Sequence, residues 1–300
     1  MRKLFGGIEA GGTKFKCVVA DDKARIIFEK TIQTTEPVRT IQEVISFFQM
    51  EARDYLPEVK GIGIGSFGPL DLNPSSLAFG SITATTKPGW SHFPIKKTIE
   101  EALNIPTVID TDVNTAALGE KMWGAGKEIE DLLYITIGTG IGGGAVVNGR
   151  PIHGLIHPEM GHLRIPHDVA EDPFPGCCPF HGDCFEGLAS GPALAKRWSV
   201  LGEKLPEVHV AWKLEAKYLA YALATYICIL SPQRIVLGGG VMRRKQLFGF
   251  IYSDLQKILN GYIQSPVIME RPQKYIVSPE LGERSGSLGA VALAMMAIGE

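Results

Sequence analysis

The chain has 300 residues, with 30 Lys and Arg against 32 Asp and Glu, a formal charge of −2. A balance this even leaves no basic field for a nucleic-acid backbone and excludes a dedicated nucleic-acid binder. Hydrophobic residues at 45% and charged residues at 21% exclude a disordered chain. Strands are expected over residues 3–9, 14–20 and 24–32, β-branched or aromatic runs divided by Gly11-Gly12 and Asp21-Asp22-Lys23. A helix follows, with Thr40 as its cap, Glu43 closing a T-x-x-E box, and Ile41, Val44, Ile45 and Phe48 as one apolar stripe. Residues 59–65 read as a short buried strand ending in a glycine loop, and 107–110 as another strand before a helix starting near Val113. The pattern then restarts with a strand over 132–137, a glycine loop over 138–144 and a strand over 145–147. Residues 166–185, rich in Pro, Cys and Gly and without periodicity, form an inserted loop. Helices resume at Glu186, over about residues 207–230 and after Gly240. The last helix, 285–298, is apolar on most sides and is expected to be buried. Two strand–glycine turn–strand units about 130 residues apart predict a duplicated α/β domain with a cleft between its halves.

Glycine is the compositional outlier: 35 of 300 residues, about 12% against the usual ~7%. The longest uncharged stretch, residues 132–149, is interrupted by glycines and suits turns better than a membrane helix. Glu9 arrives before any long apolar run, so no export signal is expected. Five cysteines do not make a disulfide framework, and a cytoplasmic protein is the expectation.

Glycine loops carry the first chemical signal, because consecutive N–H groups without Cβ atoms can cradle a polyphosphate. Residues 7–14 run Thr-Lys where a P-loop has Lys-Ser/Thr, so they are not that motif. Gly138, Gly140 and Gly143 match the dinucleotide spacing, but 145–147 reads as strand where that fingerprint needs a helix. With Gly238-Gly239-Gly240 after the strand 234–237, three loops suffice for two phosphates and a nucleoside.

Asp112 falls where a strand hands over to a helix, facing the expected cleft. There a carboxylate can orient a hydroxyl and take its proton, or simply cap the helix. The glycine loops favour the first role. Cys178, His181 and Cys184 have C-x2-H-x2-C spacing, and His162 upstream completes a tetrahedral Cys2His2 set for structural zinc. Cys177 is an alternative ligand, though the spacing favours Cys178. Cys17 and Cys228 lie in apolar strand and helix patterns and are expected in the core. Glu159 and Glu186 flank the metal loop. Both can accept hydrogen bonds from a polyol, while Glu186 is equally a first-turn helix carboxylate.

These motifs resemble the bacterial fructokinases of the ROK (repressor, open reading frame, kinase) family, within the sugar-kinase/actin-like ATPase superfamily. The residues carrying the resemblance are 8–14, 111–114, 138–144, 157–162, 178–184, 186–192 and 238–240. The resemblance implies a two-domain, ribonuclease H-like α/β fold with the cleft between domains. Residues 1–115 would form a small N-terminal domain with helix 286–300 packing back on it, and 116–285 a large domain with the zinc loop. It makes Asp112 the catalytic base. Gly68, Asp112, Glu159, His162 and Glu186 become the sugar site, His162 serving the zinc as well. ATP would lie on Gly11, Gly12, Thr13, Lys14, Thr139, Gly140, Gly191, Pro192, Gly239 and Gly240, with Mg²⁺ nearby. Glu9 stands where many relatives have Asp, which could alter how water-bound Mg²⁺ is positioned, and His181 where many have Cys. The implied reaction is ATP-dependent phosphorylation of D-fructose at its 6-hydroxyl, giving fructose 6-phosphate, by a homodimer. A hexokinase of the same fold acting on mannose or glucose, or a non-catalytic zinc-stabilised sugar-binding module, are the alternatives.

Overall fold

The computed structural model describes residues 3–299. In chain order its strands are β1 (Leu4–Ala10), β2 (Lys14–Asp21), β3 (Ile26–Gln33), β4 (Val59–Ser66), β5 (Thr107–Thr111), β6 (Leu132–Ile137), β7 (Ile141–Val147), β8 (Arg150–Pro151), β9 (Arg234–Gly238) and β10 (Ile276–Val277). The α-helices are α1 (Pro37–Ser46), α2 (Ile95–Leu103), α3 (Asp112–Trp123), α4 (Phe185–Ala189), α5 (Gly191–Trp198), α6 (Ala211–Leu230), α7 (Gln246–Leu259), α8 (Pro266–Met269), α9 (Pro272–Tyr275) and α10 (Ser285–Ala297).

The first sheet runs β3-β2-β1-β4-β5, with β2 antiparallel to β1 and β3, and β4 parallel to β1 and β5. The second runs β10-β9-β6-β7-β8. Read from its other end it becomes β8-β7-β6-β9-β10, the connectivity of the first sheet repeated strand for strand. Each sheet has a trio linked by short turns, then two strands reached through helices. The duplicated α/β domain expected from the restarting pattern is therefore present.

The chain divides into two compact units, Met1–Glu128 with Gly144–Pro158 and Glu280–Glu300, and Ile129–Gly143 with Glu159–Pro279. The resemblance implies a division at 115/116, whereas the first unit keeps α3 whole. Glycines bring α3 against α10: a Cβ on Gly289 would lie 1.6 Å from the Thr115 carbonyl oxygen. In the same unit β1 alternates by the strand period of two. Leu4 and Ile8 enter one core with Ile62, Ile64, Phe47 and Phe48, while Phe5 enters another with Val18, Leu288 and Val291. Each such side chain contributes roughly 1.5–3 kcal/mol of burial. The expected burial of the last helix is observed, since Leu288, Ala290, Val291 and Ala294 of α10 are all enclosed.

In the second unit β6 and β9 pair in parallel, as do β9 and β10, and α6 packs on α7. Among the described residues no helix is long and apolar enough to cross a membrane.

Three local expectations are corrected. Helix α1 starts at Pro37, whose fixed φ suits a first helical position. Thr40 therefore lies inside the helix, its hydroxyl accepting the N–H of Thr35 at 3.0 Å. The glycine loop ends sooner than residue 144, because β7 already begins at Ile141. Gly144 serves close approach instead: a Cβ there would lie 2.2 Å from the Val113 carbonyl oxygen. Cys17 is buried as expected, but Cys228 is exposed. It sits in the last turn of α6 beside the exposed Ile229, while Leu223, Tyr226 and Ile227 face the core. An all-apolar helix does not reveal which side stays uncovered.

Candidate functional site

The β1–β2 connection is a tight turn. The Gly11 N–H donates to the Lys14 carbonyl at 3.1 Å, and a Cβ on Gly11 would sit 2.7 Å from that oxygen. Thr34 secures it from β3's end, its hydroxyl donating to Gly11 O at 2.8 Å and its N–H to Thr13 O at 3.0 Å. Thr13 and Lys14 remain exposed at the tip. Just before the turn, burial pushes the Glu9 carboxyl above its ordinary value, opposed by the nearby Lys16 and Lys14. One of its oxygens, Oε2, is buried with no hydrogen-bond partner. A buried carboxylate oxygen left open suits a hydrated divalent cation such as Mg²⁺.

Asp112 opens α3 at the end of β5. The capping role belongs to its neighbour: the Thr111 hydroxyl accepts the Asn114 N–H at 3.2 Å. Asp112 Oδ1 accepts the Val113 N–H at 2.9 Å, and the residue is half-buried. Beneath it Asp110 is buried, accepting Thr111 N–H at 2.7 Å and Asn114 Nδ2 at 2.9 Å through Oδ1. Its Oδ2 lies 2.9 Å from His153 Nε2. That hydrogen bond raises the His153 imidazole above its ordinary pKa. Gly68 is joined to Pro69 by a cis peptide bond. A Cβ on Gly68 would lie 3.5 Å from His157 Cε1, and His157 Nε2 accepts the Leu70 N–H at 3.0 Å. Sequence reasoning missed three of these side chains: Asp110 and His153, and Lys87, whose ammonium donates to the Gly12 carbonyl.

The second unit gathers its three expected glycine segments. The Gly138 N–H donates to Gly140 O at 2.9 Å, and the Gly191 N–H to Gly138 O at 2.8 Å. A Cβ on Gly138 would be 3.9 Å from Gly240 N. Gly239 has φ +90, and a Cβ there would be 2.3 Å from Ile137 O. Gly191-Pro192 opens α5 behind a Ser190 cap. Thr139 and Gly140, Gly191 and Pro192, and Gly239 and Gly240 thus converge on one backbone cradle. Glu186 belongs to it structurally as well, for its Oε2 accepts the Ile141 N–H at 2.9 Å and lies over Gly140.

The four candidate metal ligands are equally close. His162 Nδ1, Cys178 Sγ, a ring nitrogen of His181 and Cys184 Sγ all lie within 4.8 Å of one another. Cys178 Sγ is 3.7 Å from His162 Nδ1 and from His181 Nδ1, and Cys184 Sγ is 3.6 Å from His162 Nδ1. Zinc bonds of about 2.3 Å to sulfur and 2.0–2.1 Å to nitrogen give tetrahedral S···N edges of about 3.6 Å. The residues fit that ion. The Cys178–Gly182 turn, closed by hydrogen bonds of 3.0 and 2.9 Å, presents Cys178 and His181 together, whereas Cys177 is outside the set. With Nδ1 turned to the sulfurs, His162 keeps Nε2 for another partner. Burial pushes the Cys184 thiol up to about 11, so a metal ion must displace its proton. Glu159 is exposed two residues before Gly161, its carbonyl accepting the His162 N–H at 3.0 Å.

Two sheets of one connectivity, glycine cradles and a carboxylate at a strand–helix junction define the sugar-kinase/actin-like ATPase class. The chain belongs to the ROK family, which it matches over residues 5–297. It is 44% identical to the fructokinase of Lactococcus lactis subsp. cremoris, over 98% of both chains. It is 42% identical to the fructokinase of Zymomonas mobilis, over 99% of this chain and 98% of that one. Among solved structures it resembles the ROK hexokinase of Thermus thermophilus, at 28% identity and TM-score 0.79, covering 99% of both chains.

Proposed function

We propose that this protein is an ATP-dependent fructokinase, transferring the γ-phosphoryl group of ATP to the 6-hydroxyl of D-fructose. Similarity over nearly the whole chain to two proteins named fructokinase supports the sugar, at 44% and 42% identity. The observation that carries the chemistry is the division of labour at α3. Thr111 caps the helix by accepting the Asn114 N–H, while Asp112, one of whose oxygens accepts the Val113 N–H, serves as general base. It aligns the 6-hydroxyl for in-line attack and takes its proton, and with a loose transition state this positioning matters more than basicity. Gly68, Glu159, His162 and Glu186 hold the sugar. The nucleotide lies on Gly11, Gly12, Thr13 and Lys14 and on the cradle of Thr139, Gly140, Gly191, Pro192, Gly239 and Gly240. Glu9 would hold Mg²⁺ through water, and the ion supplies charge neutralisation on the phosphates. His162, Cys178, His181 and Cys184 would hold a structural zinc that fixes the loop bearing the sugar ligands. The protein acts as a cytoplasmic homodimer.

Coupled assays of ADP release over a panel of hexoses test this reading. Fructose should give the highest kcat/KM. Asp112→Asn should lower kcat on the order of 10²–10⁴-fold with nucleotide affinity little changed. Near-normal turnover in that variant removes Asp112 from its role, and a preference for glucose or mannose overturns the sugar assignment.

A further inference from the structure

We propose that Lys87 is a catalytic residue whose ammonium contacts the phosphoryl group during its transfer; the proposal rests on the kinase reading above. Three observations in the first unit carry it. Nζ of Lys87 donates to the carbonyl of Gly12, in the middle of the phosphate turn. A Cβ at residue 12 would lie only 2.7 Å from Lys87 Cε, so the lysine lies across the turn and would have to shift for any larger residue there. Nζ also stands 5.7 Å from the centre of the Phe67 ring, and Phe67 precedes Gly68, the sugar-side glycine. One ammonium therefore bridges the turn assigned to phosphate and the segment assigned to the sugar, the path the transferred group must take.

The charge is not used up by the fold. Lys87 is half-buried, and among the described residues it makes no ion pair; its ammonium meets a neutral carbonyl and an aromatic face. A partly desolvated cation held only by neutral groups is poised for an anion, and a phosphoryl oxygen is a far stronger acceptor than a peptide carbonyl. The backbone beneath it is fixed. The Trp90 N–H donates to Lys87 O at 3.2 Å. Trp90 itself is 1% exposed, its Nε1 donates to Thr35 O at 2.8 Å, and its ring lies 5.5 Å from both Phe15 and Phe67. Lys87 thus sits on a rigid support, as a preorganised stabilising charge requires.

In the step itself, the bond from the γ-phosphorus to the β,γ-bridging oxygen breaks and its electron pair leaves with ADP. A bond forms from the sugar's 6-oxygen to phosphorus, and the hydroxyl proton passes to Asp112. Lys87 donates to an equatorial oxygen of the phosphoryl group, where charge accumulates between the two partners.

The test compares wild type, Lys87→Met and Lys87→Arg in fructose-dependent ADP formation, together with binding of ADP and of ADP–aluminium fluoride with fructose. Removing one such donor should lower kcat about 10²–10³-fold. The affinity for ADP–aluminium fluoride should fall by a similar factor, while ADP affinity and melting temperature stay near wild type. Lys87→Arg should recover part of kcat. If wild type turns over but Lys87→Met keeps kcat within about threefold, or loses ADP and ADP–aluminium fluoride affinity equally, Lys87 has no transition-state role and the kinase reading stands. A wild type that forms no ADP with any hexose overturns the kinase reading instead.

Discussion

His153 Nε2 and Asp110 Oδ2 lie 2.9 Å apart, joining a side chain that is 42% exposed to one that is 3% exposed. Asp110 in turn receives the Thr111 N–H and the Asn114 amide, so the pair braces the first turn of the helix that begins with Asp112. The hydrogen bond and the Asp110 charge hold the imidazole above its ordinary value. A pKa raised by folding means that the folded state binds the proton more tightly. The stabilisation is complete below the unfolded pKa of about 6.5 and disappears as pH rises through the folded value. His153→Gln keeps a neutral donor but not the charge. Its stability deficit in urea should therefore be largest near pH 5.5 and shrink by pH 9. Solvent screening of the half-exposed ring keeps the pH-dependent part below about 1 kcal/mol. A deficit that is constant across this range would show that His153 acts only through packing.

Glu120, fully buried near the end of α3, gathers four donors on two oxygens. Oε2 accepts the N–H groups of Ala125 at 2.8 Å and Glu280 at 3.1 Å. Oε1 accepts the Leu281 N–H at 3.0 Å and the Ser285 hydroxyl at 2.6 Å. The carboxylate thereby ties α3 to the chain entering α10. Glu120→Gln is isosteric, yet its NH2 group must face donors and can accept from none of them. Leaving buried donors unsatisfied costs about 1–3 kcal/mol each. The variant should lose at least about 2 kcal/mol in urea denaturation, with the denaturant slope unchanged. A loss under about 0.5 kcal/mol would mean that water replaces the lost acceptor.

The limits of legibility follow from distance along the chain. Strands β1 and β2 were readable because Phe15, Cys17 and Val19 alternate and the glycines between the strands forbid their continuation. Three of the candidate metal ligands, Cys178, His181 and Cys184, are readable because their spacing of three residues puts them on adjacent turns, and His162 sixteen residues upstream completes the set. Lys87 was not, being 75 residues from Gly12 with only a Pro-Gly turn beside it. Nor was His153, which lies 43 residues from Asp110. Such pairs form only when sheet order brings separate segments together, and no local pattern encodes them. Thr40 shows a different failure, in which a T-x-x-E box at the right spacing was overruled by Pro37, a stronger starting signal. Glu186 shows a third: neither of its two expected roles includes the Ile141 N–H, 45 residues away, which one of its oxygens accepts.

Residues 166–184 contain no helix or ladder strand, and a polar network holds them beside the ligand set: buried Asp172 pairs with Arg197 at 3.1 Å and accepts the Tyr218 hydroxyl at 2.6 Å. In that network Arg164 pairs with Asp183 at 2.7 Å and donates to His181 O at 2.6 Å, while His167 Nδ1 lies 3.3 Å from Asp183 Oδ2. Elemental analysis of the purified protein should find about one zinc per chain, as a closed four-ligand site demands. Cys178→Ser removes a buried thiolate ligand and should abolish retained zinc after dialysis, whereas Asp112→Asn should keep it. Because His162 carries both a metal-side nitrogen and a proposed sugar contact, metal loss should raise the fructose KM by roughly 10-fold or more, in line with the cost of losing ligand-orienting contacts. Nucleotide affinity should change far less, since the cradle around Gly138 and Gly191 is built from its own backbone bonds. Full activity and an unchanged fructose KM in a protein stripped of every metal except Mg²⁺ would separate this cluster from the sugar site.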